Sequence, residues 1–252
     1  MLKKSGFTHS QQLLIMGIVF LVLFAVIAGP LYNSCRKKEV ASKLQAVHTK
    51  IKQAKRTYVL ENGDIMSNYD VNISPDNFAE TYFTPYLKIK HTCKGDNQIP
   101  CWGHSAYFDL DNNPVTNKSV YSIVLEDKTI IGFTKNEDGF MALLVDIDGV
   151  AGKNKLGRDI FVMYFYNNRF TPKICKLYEY KKYYIADGIH IGGFDKCGIP
   201  HDVYSYEDLY SKNLEDGCNI KSPKNTYGFG KGAACAALIK QSQWRIDKIY
   251  PW

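Results

Sequence analysis

Residues 13–31 read LLIMGIVFLVLFAVIAGPL, nineteen positions without a charge. At the helical rise of 1.5 Å per residue they reach about 28 Å, close to the hydrocarbon thickness of a bilayer. Upstream stand Lys3 and Lys4 and a Gly6-Phe7-Thr8 junction. An ordinary cleavable secretory signal is excluded: the leader is short, no small-residue cleavage site follows, and the run is long enough to span. Downstream, Val40, Leu44, Val47, Ile51, Ala54 and Tyr58 recur at steps of 4, 3, 4, 3 and 4, with Lys and Arg between them. That spacing makes one helical stripe, suited to docking against a domain. Asn62-Gly63 ends it, because glycine readily takes the left-handed backbone of a helix C-terminus. One helix over residues 7–62, about 80 Å long, is therefore predicted, kinked near Pro30. A coiled coil is the alternative for the second half, but fewer than four heptads precede the following domain.

The leader Lys3-Lys4-Ser5-Gly6, the Phe7-Thr8 that follows and the apolar run resemble the class III signal of type IV pilins and type II secretion pseudopilins. The resemblance implies cleavage between Gly6 and Phe7 by a prepilin peptidase and methylation of the new Phe7 amine. It implies assembly through the N-terminal helix, with Gln11, Leu13, Leu14 and Pro30 in the packed segment. The family places two apolar residues and a Glu after Phe-Thr; this chain has His9, Ser10 and Gln11. Gln11 accepts a hydrogen bond but brings no charge to a neighbouring subunit's amine. A minor subunit is expected in place of a main, repeating one. The lysine-rich 43–64 segment, KLQAVHTKIKQAKRTYVLENGD, is similar to a pilin-like group of type II secretion proteins.

The net charge of +7 is unevenly placed. The leader holds two basic residues, residues 36–61 hold eight against two acidic, and the chain from Gly63 holds 22 basic and 23 acidic. A nucleic-acid footprint should coat the folded domain, so no nucleic-acid partner is indicated. Charge placement alone favours the large domain in the cytoplasm. The cleavage signal and the cysteine content favour the opposite, and the expected topology is a single pass through the inner membrane with the N-terminus cytoplasmic.

The predicted organisation is a leader at 1–6, a membrane and assembly helix at 7–34, an amphipathic helix at 35–62 and an extracytoplasmic domain at 63–252. Ser74-Pro75-Asp76-Asn77 offers a helix start. Strand-like runs follow at YSIVL, TIIGFT, FMALLVDI and IFVMYFY, joined by short polar turns that make the sheet antiparallel. Residues 172–223 read as irregular, 233–241 as a helix, and the chain is expected to end on a strand. The fold class is α+β: a long N-terminal helix packed on an antiparallel sheet, with a disulfide-bearing irregular C-terminal region.

Six distal cysteines permit fifteen pairings; spacing favours Cys93–Cys101, Cys175–Cys197 and Cys218–Cys235. Cys35 stands apart at the membrane edge. A zinc site from His91, Cys93, Cys101 and His104 is the competing reading, with a gap shorter than a zinc finger's. Asp146, Asp148, Asn154 and Asp159 resemble the DVNG…N…GRD loop of the same pilin-like group. Their carboxylates could bind calcium, while Asx turns explain them equally well. Residues 228–232, GFGKG, lack the strand and the Ser or Thr of a phosphate loop. No cofactor other than calcium is suggested, and no catalytic spacing stands out. The expected function is a pilin-like subunit that meets other such subunits, a prepilin peptidase, an inner-membrane assembly platform and the lipid bilayer. The alternative is a signal-anchored extracytoplasmic enzyme or binding domain, which keeps Met1.

Overall fold

The computed structural model describes residues 9–63, 70, 72–103, 106–116, 118–135, 141–150, 154–166, 188–195, 198–224 and 228–252. The chain divides into two compact units, Met1–Glu39 and Val40–Trp252. Helix α1, His9–Asn62, contributes to both.

In the first unit α1 carries no charge over residues 13–31. Leu14, Phe20 and Leu21 are each about two-thirds exposed, and nothing in the most apolar window is buried. Such a surface has no match in water. This is one helix long and apolar enough to cross a membrane. It continues through Pro30.

In the second unit the stripe does what its spacing requires. Val40, Leu44, Val47, Ile51, Ala54 and Tyr58 are all buried, the most exposed at 9 %. Gly63, at φ +83°, closes the helix by donating its N–H to the Val59 carbonyl at 3.0 Å. Helix α2, Pro75–Tyr82, begins at Ser74 with proline in its first turn. A 3₁₀ turn, Thr84–Tyr86, leads into the sheet.

Among the described residues, eight strands form two sheets. In chain order they are β1 (Ile89–Lys94), β2 (Ala106–Phe108), β3 (Pro114–Thr116), β4 (Tyr121–Leu125), β5 (Ile130–Lys135), β6 (Met141–Asp146), β7 (Ile160–Tyr166) and β8 (Gly188–Ile191). The main sheet has the order β1-β4-β5-β6-β7-β8, every pair antiparallel, and β2 pairs with β3. One face, carrying Ile123, Phe133, Leu143 and Met163, shares a core with the α1 stripe and α2. The other face, carrying Val124, Ile130, Leu144 and Val162, packs on Trp102, Tyr107 and Leu156. Covering on both sides explains why the strands read as unbroken apolar runs without alternation.

The four strands predicted from apolar runs are β4 to β7. Three further points differ. β8 extends the sheet within the stretch expected to be irregular, and helix α4, Tyr206–Tyr210, follows it with the Ser205 hydroxyl accepting from the Asp208 N–H. Helix α5, Cys235–Gln241, starts two residues later than predicted. The chain end is not a strand: residues 247–250 turn, and the buried Tyr250 hydroxyl donates to the Gly157 carbonyl. That bond holds the tail on the loop between β6 and β7.

Candidate functional site

The assembly residues named from the sequence divide by position. Leu13 and Leu14 are 56 % and 66 % exposed on α1, and Pro30 lies within that helix. Gly6, Phe7 and the Gln11 side chain lie outside the described residues.

Two of the three cysteine pairs are bonded, Cys93–Cys101 and Cys218–Cys235. Cys175 and Cys197 lie outside the described residues, as does His104. Cys35 is free and exposed. His91 lies close to the first disulfide, yet sulfurs bonded to each other are not thiolate ligands. The zinc reading therefore fails for the oxidised chain. The bond instead fastens helix α3, Ile99–Trp102, to β1. There the Trp102 indole N–H donates to the Ser122 hydroxyl at 2.8 Å, and that hydroxyl donates to the Gln98 side-chain Oε1 at 2.6 Å. The indole lies over Gly132, where an added Cβ comes within 2.7 Å of it.

The acidic loop sits between β6 and β7. Asp146 is fully buried, and its Oδ1 accepts from the Asp148 and Gly149 N–H groups at 3.0 and 2.8 Å. Asp159 Oδ1 accepts from the Lys155 N–H. The Asp146 contacts are Asx-type closures of the backbone. The second Asp146 oxygen and the Asn154 side-chain oxygen are buried without a hydrogen-bond partner. Among the described residues, the three aspartates do not gather their oxygens as a cluster within 4.8 Å; only His91, Cys93 and Cys101 do so. A calcium ion needs six to eight converging oxygens, more than the three aspartates bring together. Burial, aided by Asp148 and Asp159, pushes Asp146 up to about 8, and burial pushes Asp159 up to about 6.

An aspartate that keeps its proton only in the folded state stabilises at low pH and loses that contribution as pH rises through its folded value. His48 and His201, held at about 4 mainly by burial, oppose this only below about pH 6.5. Between about pH 6.5 and 8.5 the melting temperature is therefore expected to fall, with a slope of up to ~1.4 kcal/mol per pH unit from Asp146. Asp146→Asn is expected to flatten that slope, and added calcium to leave the melting curve unmoved at pH 8. A calcium-induced rise that Asp146→Asn abolishes restores the calcium reading.

The glycine-rich 228–232 stretch is committed elsewhere. The Gly230 N–H donates to Asp216 Oδ2 at 3.2 Å, and Lys231 pairs with Asp111 and donates to the Ile220 carbonyl.

A cluster that sequence spacing does not reveal lies at Asp202. Its carboxylate meets His190 Nδ1 at 2.7 Å, the Lys240 ammonium at 2.8 Å and the Ile191 N–H at 3.3 Å. Burial opposes its charge, but His190 and Lys240 outweigh burial and hold Asp202 down at about 2. The partners belong to β8 and α5, so the carboxylate ties those elements to the 3₁₀ turn His201–Val203. Their separations of 12 and 38 residues carry no motif.

No protein-family model, no curated protein and no solved structure matches the chain.

Proposed function

We propose that the chain is a minor pilin-like subunit of a type II secretion pseudopilus or type IV pilus. One observation carries the reading: a helix apolar on all sides over residues 13–31 belongs to the same α1 whose later stripe is buried on a domain. Ahead of it stand Lys3, Lys4, Gly6 and Phe7 in the order a prepilin peptidase reads. The peptidase cuts between Gly6 and Phe7 on the cytoplasmic side and the Phe7 amine is methylated. The bilayer then solvates residues 13–31 until extraction, when neighbouring helices bundle and keep that surface from water. The domain stands outside the inner membrane, where its disulfides form and persist.

Gln11 supports the minor position. A repeating subunit must neutralise a neighbour's buried amine, and leaving that charge unpaired costs on the order of several kcal/mol. A subunit at the tip has no amine above it to serve. Gly6→Leu crowds the cut and is expected to leave the leader on and remove the protein from sheared filaments. Filaments carrying the Gly6→Leu protein at the natural level contradict the reading. So does a natural protein as abundant there as the main subunit.

A further inference from the structure

Within the second unit a groove of about 860 Å³ runs along the outer face of α1. Lys52, Lys55 and Arg56 line it from the helix, and Lys240 and Trp244 close it from α5 and the turn that follows. Among the described residues, no carboxylate lines it. Asp202 meets Lys240 from a buried position, whereas Lys52 and Arg56 are exposed and make no ion pair among the described residues. His48, beside Trp244 at 5.4 Å between ring centres, is held neutral at pH 7 by burial and by Lys240 and Lys52.

The wall is held in a demanding conformation. Gln243 and Trp244 have φ of +57° and +60°, two consecutive side-chain-bearing residues in the left-handed region. That backbone is disfavoured unless its surroundings fix it. Here the Trp244 N–H donates to the Ile239 carbonyl at 2.9 Å, and the indole is set against α1. At the groove's edge Leu60 is 75 % exposed. Exposed cations at 52 and 56, one helical turn apart, with Trp244 and Leu60 beside them, match carboxylates at helical spacing flanked by apolar side chains.

We infer that this groove is a docking site for an amphipathic helix of another protein, with its facing side acidic. A second copy is the wrong partner, because its residues 36–61 bring eight basic and two acidic side chains to the same contact. A single nucleic-acid strand needs stacking surfaces for successive bases, and among the described residues the groove offers one indole. The inference goes beyond the filament reading and holds equally for a tethered domain.

The test uses the full chain in detergent. The main probe is a synthetic helical peptide with glutamates on one face and leucines beside them. The comparison probes are its scrambled isomer, phosphatidylglycerol nanodiscs and a single-stranded DNA oligonucleotide, all titrated by calorimetry. The amphipathic peptide is expected to bind about tenfold tighter than the scrambled one and to lose about tenfold with Lys52→Glu/Arg56→Glu. Charge reversal at Lys212 and Lys224, which do not line the groove, is expected to leave binding unchanged. Equal binding of both peptides by the natural chain overturns the inference, as does no binding. So does lipid or DNA binding that exceeds the peptide's and is lost with the groove cations. If the charge-reversed chain fails to fold, the two-peptide comparison on the natural chain still decides.

Discussion

Replacing Gly132 by valine is expected to destabilise the Val40–Trp252 unit by about 3 kcal/mol or more, lowering its melting midpoint by ~6–12 °C. Gly132 lies on β5 between Ser122 of β4 and Leu144 of β6, on the face that Trp102 covers. A Cβ there stands 2.1 Å from the Ser119 hydroxyl, 2.7 Å from Trp102 Cζ2 and 2.8 Å from Ser119 Cβ. None of these neighbours is the free end of a flexible chain. Trp102 is 1 % exposed and its indole N–H is committed to Ser122, so it retreats only by giving up that bond. Trp102→Ala alone is expected to cost ~3–5 kcal/mol through the cavity it leaves. Because the two residues compete for one space, the double variant is expected to cost less than the sum. Additive costs, measured by denaturant titration, sink this account of the covered face.

Removing the Cys218–Cys235 bond by Cys218→Ser/Cys235→Ser is expected to cost about 3 kcal/mol, from freeing a loop of 17 residues in the unfolded chain. Both cysteines are fully buried, so the new hydroxyls add a desolvation penalty. The Cys93–Cys101 loop is shorter, at 8 residues, and its loss is expected to cost about 2.5 kcal/mol. That second loss also frees the helix that positions Trp102 over the sheet. Chemical denaturation of the two double variants ranks them. Peptide maps without reductant should recover both bridges, and free alkylation of these four cysteines contradicts the assignment.

The stripe from Val40 to Tyr58 and the central strands were legible because each obeys one local period or one unbroken apolar run. Gly63 was legible because only a few residue types tolerate its backbone. β8 was hidden because Gly188–Ile191 is short, lies in a stretch of glycine and tyrosine, and gains its burial from β7. The terminal residues looked strand-like, but Tyr250 is buried by the Gly157 carbonyl, a contact 93 residues away in the chain. At the acidic loop the sequence showed the carboxylates and left the ligand open. Which oxygens close backbone turns, and which stay buried without a partner, is tertiary information. The basic groove was half visible: the lysines of residues 36–61 stood out, while Trp244 enters only through the left-handed turn after α5. A tryptophan near the chain end carries no pattern that announces such a wall.

The mass of the N-terminal peptide, from protein extracted out of membranes with an active prepilin peptidase, is the most direct measurement of the filament reading. The expected peptide begins at Phe7 and carries a methyl group on its amine. Peptide beginning at an intact Met1 contradicts the reading and leaves the apolar helix as a simple anchor.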